Sequence, residues 1–490
     1  MAARAASRRQ SVTRIPLVAS RRRESPCFEA TDSSTTRIAG SALLPAAPSR
    51  DPNPQIARLC SQFIAANRAT LLHIDAEIDQ QYDGSRVDLV VRTHTKVGAV
   101  PLISPTTGRP DYGLIVKPRF EWHGLGPMLS DMGWRVIPAP LSLPMLPRSD
   151  RKIPPWVLST IVLFRLKALL DRLERRFEVV DEIRTAPRGS VNWTAYATRH
   201  ISRAQFLSVP CRFPDLRDDR DLKAAIRFTL QKQLQGLDGQ RTAGAFVVGL
   251  LELCQRLLER VRDTPPRQPG PRQLDAWLRG PLRTNAFRDG LQAIEWTVDD
   301  RGLAGLSDLQ GLPWAMSMES FFEAWAETVL GMVAQKIGGT LRSGRKRETL
   351  APLSWEPPYI GSQKYLLPDL VLERGDTTII VDAKYKEHWE EMQDRPWGQL
   401  EDELRERHRA DLLQVLAYGN LTASPRIVLV LAYPCSKATW SSLSERGRLF
   451  HRASLRAGDR RIDLRLTAFP MGVPISTVAD ALAAEVASHE

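Results

Sequence analysis

Residues 366–386, LLPDLVLERGDTTIIVDAKYK, set acids and lysine at the ends of two apolar runs: Asp369 opens the first, and Asp382 and Lys384 close the second. In an extended chain residues two apart share a face, so Asp382 and Lys384 project together while Ala383 points away. A turn at Arg374-Gly375-Asp376 pairs the two runs as a hairpin and brings Asp369 close to Asp382. Two neighbouring carboxylates repel unless something cationic lies between them, and an oxygen-rich site suits Mg2+ or Mn2+. A metal held by Asp369 and Asp382 would polarise a phosphodiester and lower the pKa of bound water. Lys384 would then orient that water or stabilise charge developing on the phosphate. Such an arrangement suits phosphodiester hydrolysis better than acyl transfer.

Flanking segments offer further groups. MESFFEAWAETVLGMVAQKI (318–337) has helical periodicity and aims Glu323 at the metal, with Glu319 and Glu327 one turn to either side. On a second helical segment, 402–422, Asp411, Gln414 and Tyr418 share a face, and Gln414 and Tyr418 offer an amide and a phenol to the substrate backbone or the attacking water. Between the first helix and the hairpin, LRSGRKRE carries Arg342, Arg345, Lys346 and Arg347, which suit DNA phosphates beside the site. Taken singly, each feature has an ordinary explanation: a turn cap, a surface ion pair, solvent-facing glutamates, a solvated basic loop. Their order, strand placement and flanking helices together favour a metal site. GTLRSGRK (339–346) spaces two glycines like a phosphate-binding loop, but Arg345-Lys346-Arg347 stand where Lys and Ser/Thr are required and a helix precedes it, so no motor is read here. The histidines lack zinc-ligand spacing, and His388 reads as a surface residue.

These residues need a scaffold, and the chain divides into four parts. Residues 301–490 read as helix, strand, strand, helix and a buried strand, RIVLVLAYP (426–434), an α/β module with a small mixed sheet. Residues 151–300 read as a helical connector, from VLSTIVLFRLKALLDRLERRFEV through DLKAAIRFTLQKQL to AGAFVVGLLELCQRLLERV, with a Pro/Gly-rich loop at 264–273. Residues 51–150 mix a helix with alternating strand patterns, an α+β domain. Residues 1–50 begin with seven arginines before the first acid, at Glu24, and read as a disordered basic tail in preference to a transit peptide or an over-extended start.

The formal charge of +12 over 490 residues fits a polyanionic partner such as nucleic acid, or equally a merely basic surface. Five scattered cysteines without a CxxC pair argue for a reducing compartment, and against a disulfide framework or a cysteine-bound cluster. The longest apolar run, WVLSTIVLF, stops at Arg165, so the chain is expected to be soluble and cytoplasmic with no membrane partner.

Glu323, Pro368-Asp369, Asp382-Ala383-Lys384 and QVLAY (414–418) together resemble the PD-(D/E)xK nuclease superfamily in its RecB-like branch. More narrowly, FFEAW, LLPDLVL, IIVDAKYK and DLLQVLAYG resemble the nuclease domain of McrC, the endonuclease subunit of McrBC modification-dependent restriction systems. A weaker likeness extends through GLIVKPRF, APRGSVNWTAYAT and FLSVPCRFPDLRDDRDLKAAIRFTL, and departs from the family's asparagine at Arg220-Asp221. The resemblance implies a Mg2+- or Mn2+-dependent endodeoxyribonuclease for restriction or phage defence. Its metal ligands would be Asp369, Asp382 and Glu323, with Lys384, Gln414 and Tyr418 completing the site. It also implies a separate McrB-like AAA+ GTPase or ATPase hexamer as partner, a finger reaching into that partner's pore from 85–120, and DNA, methylated in some systems, as substrate. Two rivals are a non-cleaving activator of the AAA+ ring and a RecB-like repair nuclease.

Overall fold

The computed structural model describes residues 27–44, 53–84, 86–120, 122–141, 143, 155–173, 176–217, 219–279, 284–298, 313–386, 402–457 and 460–487. The chain is a mixed α/β, multidomain protein that divides into two compact units: residues 1–119 with 139–150 and 308–318, and the remainder.

The first unit holds two sheets. Strands Cys27–Thr31, Tyr112–Lys117, Lys96–Leu102, Trp314–Ser317 and Ala139–Pro140 lie side by side in that order, and Thr35–Ala39, Arg86–Thr93 and Ala76–Asp83 form a second sheet. Helix Asn53–Leu71 buries Ile56, Cys60 and Phe63 among them. Phe63 meets Phe28 and Tyr112 edge-on while those two rings stack 5.8 Å apart, a geometry that aromatic quadrupoles favour. Gly98 is required where Trp314–Ser317 crosses it, since a Cβ there would lie 2.2 Å from the Trp314 carbonyl oxygen.

Three expectations are corrected here. Residues 27–44 are not a disordered tail, because both strands of that segment are built into sheets; residues 1–26 lie outside the described residues. The boundaries of the 51–150 domain shift, since 120–138 belongs to the second unit and 314–317 to the first. Strands Lys96–Leu102 and Tyr112–Lys117 are buried sheet members, which narrows the finger expected within 85–120 to the turn between them, exposed at 106–109.

In the second unit, helices Pro155–Asp171, Arg220–Asp238, Ala245–Glu259, Pro271–Arg279 and Asn285–Val298 pack through apolar faces. Asp219 caps the second of them by accepting a hydrogen bond from the Leu222 amide at 2.9 Å. The connector is not all helical, however. The helix expected to run to Val179 ends at Asp171, and an antiparallel pair, Arg176–Arg184 and Val209–Arg217, follows with a short third strand, Ser190–Val191. This arm has a small core of Val209, Cys211 and Phe213. Exposed on it are Trp193, Phe206 and Leu207.

The C-terminal part of the unit is a six-stranded mixed sheet ordered Thr340–Ser343, Leu370–Arg374, Thr377–Ala383, Arg426–Cys435, Arg460–Pro470, Phe450–Ala457. Alternation assigns its faces. Val371, Ile380, Leu429 and Leu431 pack with Val415 and Tyr418 of helix Asp402–Tyr418. Leu372, Ile379, Val381 and Val428 line a small apolar cavity with Leu330 and Val333 of helix Met318–Ile337. The expected helices and hairpin of this module are present. Strands 450–457 and 460–470 and helix Ile475–Ala487 are additional.

Candidate active site at one end of the C-terminal sheet

The hairpin register, Leu370 opposite Val381 and Arg374 opposite Thr377, sets Asp369 beside the end of the strand that carries Asp382. The Ala383 amide donates to Asp369 Oδ2 at 2.8 Å. Lys384 continues the parallel ladder by donating its own amide to Ala432 O at 2.9 Å, which fixes its backbone beside the neighbouring strand. Its ammonium lies 3.0 Å from Asp382 Oδ2. Asp382 is 1% exposed, and among the described residues neither of its carboxylate oxygens receives a hydrogen bond of good geometry. A buried carboxylate with only one cationic neighbour is costly, and such groups concentrate where function requires them.

The electrostatics agree with that geometry. Burial pushes the Asp369 carboxyl up to about 8, and the adjacent Asp382 and Glu323 add to the rise against the opposing Ala383 amide and Lys384. Asp382 is raised by burial, opposed by Lys384. Burial pulls Lys384 down, but Asp382, Asp369 and Asp411 together outweigh it and hold the ammonium above the ordinary lysine value. Glu323 is raised by burial, partly offset by Arg345, and it senses Asp382 and Lys384. The site thus combines carboxylates that resist ionising together with a lysine that stays charged.

Gln414 and Tyr418 are joined to each other, Gln414 Nε2 donating to Tyr418 Oη at 2.8 Å, and that phenol lies 3.5 Å from Leu367 O. Asp411 belongs to a network that the sequence did not reveal. Lys386 Nζ donates to both of its oxygens at 2.7 and 2.8 Å, and the Tyr433 hydroxyl donates to Oδ2 at 3.0 Å. The spacing Lys384-x-Lys386 signals that both lysines share a face; Tyr433 carries no local signal.

The neighbouring glutamates differ. Glu319 is exposed. Glu327 is buried and ion-paired with Arg135 and Lys346, each at 3.1 Å, and with Arg345 at 3.9 Å. Arg345 also donates to Ser320 O at 2.7 Å, Arg342 pairs with Glu373, and Arg347 is exposed. The basic loop is stitched to the site: the Gly344 amide donates to Asp369 O at 2.7 Å, and the Thr349 hydroxyl to Pro368 O at 2.6 Å. A Cβ at Gly344 would lie 2.6 Å from Pro368 O, so that approach needs glycine. His388 lies outside the described residues.

Among the described residues no three His, Cys, Asp or Glu side chains form a ready-made metal cluster. The donor set still fits a hard divalent cation of the Mg2+ kind, which keeps several waters and needs only one or two protein carboxylates. Asp382, whose buried oxygens have the Lys384 ammonium beside them but accept no well-formed hydrogen bond among the described residues, and Asp369 would supply those two.

A hairpin with paired acids and a lysine at one sheet end, backed by helices on both faces, belongs to a chain of the restriction class by sequence comparison. The family described as the McrBC 5-methylcytosine restriction system component matches residues 145–434, more than half of the chain, and the chain belongs to that family. Similar solved structures include a half-complex from a tetradecameric assembly of Thermococcus gammatolerans McrB AAA+ hexamers with bound McrC. It is 12% identical, with a TM-score of 0.40, covering 95% of this chain and 100% of that one. The Thermococcus gammatolerans McrBC complex seen by cryo-EM is 13% identical, with a TM-score of 0.26, covering 63% and 88%. No curated protein matches the chain. Among the described residues no helix is long and apolar enough to cross a membrane.

Proposed function

We propose that this chain is the nuclease subunit of its McrBC-type system, a Mg2+- or Mn2+-dependent endodeoxyribonuclease whose C-terminal module is a PD-(D/E)xK domain. The observation that carries this reading is Asp382, buried and short of hydrogen bonds beside Asp369 at the sheet end that also holds Lys384. Asp369 and Asp382 would hold the cation, with Glu323 supporting its shell. When bound, the cation supplies charge neutralisation at the phosphate and a more acidic water. Asp369 is held in place by the Ala383 amide, and its proton must leave before the cation is held. Lys384, kept charged by the surrounding acids, stabilises the pentavalent phosphate or orients the attacking water. Gln414 and Tyr418, already hydrogen-bonded to one another, frame the side from which the strand backbone enters.

Coupling to a separate AAA+ motor is part of this proposal, supported by membership of the McrBC restriction family. A projecting element suited to such a partner is the arm at 176–217, with Trp193, Phe206 and Leu207 exposed. An exposed apolar cluster of this kind is expected where a partner docks.

The test is cleavage of long methylated and unmethylated DNA by the purified chain with Mg2+, with and without the AAA+ partner and GTP or ATP. Asp382→Ala is the control. Cutting that needs the partner and vanishes in the variant supports the motor-coupled nuclease; cutting unchanged in the variant refutes the site. Stimulated nucleotide hydrolysis without any cutting would favour the activator role instead.

A further inference from the structure

Between the basic loop and Asp369 the chain makes an excursion, residues 353–364, whose apolar side chains point into solvent: Tyr359 is 68% exposed and Ile360 97%. Its base is a two-stranded ladder in which Ala351 pairs with Leu366 and Pro352 with Tyr365. The loop is braced internally. Trp355 Nε1 donates to Gln363 O at 2.8 Å and its ring meets Tyr359 edge-on at 6.1 Å. The Ser362 hydroxyl donates to Tyr359 O at 2.6 Å, and the Leu353 amide to Lys364 O at 2.8 Å. A braced loop that leaves a tyrosine and an isoleucine uncovered at its tip is not simply a connector.

Topology fixes where it stands. The chain leaves the ladder at Leu366 and enters the Asp369 strand at the end where Asp382 and Lys384 finish theirs, so the loop rises from the site end of the sheet. Ile360 and Asp369 are nine positions apart in the chain, at most about 32 Å when extended, which is within one turn of a B-form duplex at about 34 Å. Lys364 at the loop base adds a cation, and Glu356 is its only acid. A duplex whose backbone lies on the acidic hairpin therefore passes within reach of the tip.

We propose that the 353–364 loop is a DNA-contacting wedge, presenting Tyr359 and Ile360 to the grooves and base steps of the duplex beside the cleaved phosphate. The proposal rests on the nuclease reading. Apolar wedges and exposed aromatic rings bind bases through stacking and partial unstacking, without a requirement for sequence. The loop would thereby hold the duplex in register while the hairpin supplies the chemistry.

The experiment uses the full chain, alone and with its AAA+ partner and nucleotide, with Ca2+ replacing Mg2+ so that bound duplex stays intact. Binding is read by anisotropy of a labelled duplex, and base unstacking by fluorescence of 2-aminopurine placed along it. The variant is Tyr359→Ala with Ile360→Ala; its melting temperature is expected to stay close to the parent's because both side chains are largely exposed and the Tyr359 ring meets Trp355 within the loop itself. We expect at least about tenfold weaker DNA binding, as loss of one stacked base contact gives, and loss of the 2-aminopurine signal. Equal affinity and an equal signal in the variant overturn the wedge while leaving the nuclease reading intact. Unchanged DNA binding accompanied by a change in self-association, read by sedimentation, assigns the loop to a protein contact and also overturns it. If the parent chain itself binds no duplex in any condition, the nuclease reading and the wedge fall together.

Discussion

Asp411 and Asp382 sit in the same C-terminal module, at 5% and 1% exposure, and their surroundings differ sharply. Asp411 receives two hydrogen bonds from Lys386 and one from Tyr433, enough to offset its desolvation and lock the helix onto the end of the sheet. Asp382 has one lysine nearby and a second acid, Asp369, against it. Both acids survive burial, but only one has been given the partners that burial demands. On the proposed reading, the difference separates a carboxylate that holds the fold from one that would take a cation.

The largest expected effect is on activity. Asp382→Asn should abolish DNA cleavage, by roughly a thousandfold or more, because it removes a proposed metal ligand and a charge that lies beside the phosphate. Its folded stability should change little, since relief of a buried charge beside Asp369 offsets the loss of the Lys384 pair; a clear drop in melting temperature would place Asp382 with the structural acids.

Asp411→Ala should do the opposite and destabilise the fold by about 1–3 kcal/mol, the cost of leaving the Lys386 and Tyr433 donors without their acceptor. Denaturant unfolding measures this, and a loss of cleavage without any loss of stability would break the contrast drawn between the two acids.

The pH dependence sharpens it. Asp369 has a folded value near 8, above the ordinary aspartate value. The folded chain therefore binds the extra proton between about pH 4 and 8, and stability falls as pH rises through that window. Mg2+ should cancel that slope by replacing the proton, and removal by EDTA should restore it. Melting temperatures across the window, with and without the cation, report both, and identical slopes would remove Asp369 from the metal site.

The smallest stability effect is expected at the arm. Trp193→Ala with Phe206→Ala should change stability by less than about 0.5 kcal/mol, as substitutions of exposed side chains usually do. It should nevertheless weaken stimulation of the partner's nucleotide hydrolysis, measured as phosphate release; full stimulation would move the docking surface elsewhere.

Much of the site module was legible because its signals are local. The helical period from Met318 to Ile337 and the two apolar runs around Arg374-Gly375-Asp376 carry their own evidence of helix and hairpin. The parity of Asp382 and Lys384 followed from the strand alone. What escaped depended on distant partners. Cys27–Thr31 becomes a strand by parallel pairing with Tyr112–Lys117, across a separation that no local pattern records. Strands Phe450–Ala457 and Arg460–Pro470 interleave arginines with apolar residues, and their polarity concealed a sheet edge. The arm was hidden because its first strand continues the helical-looking sequence that ends at Asp171. Within the site, Tyr433 could not be read, since its link to Asp411 exists only once the strand and helix are packed.

The most direct test of the account is Mn2+ binding to the purified chain, followed by electron paramagnetic resonance and calorimetry, in the parent and in Asp382→Asn. The parent is expected to take up Mn2+, with Mg2+ competing for the same site, and the variant to lose this binding while remaining folded. Mn2+ binding of equal affinity in the variant would contradict the assignment of Asp369 and Asp382 as the metal-binding pair.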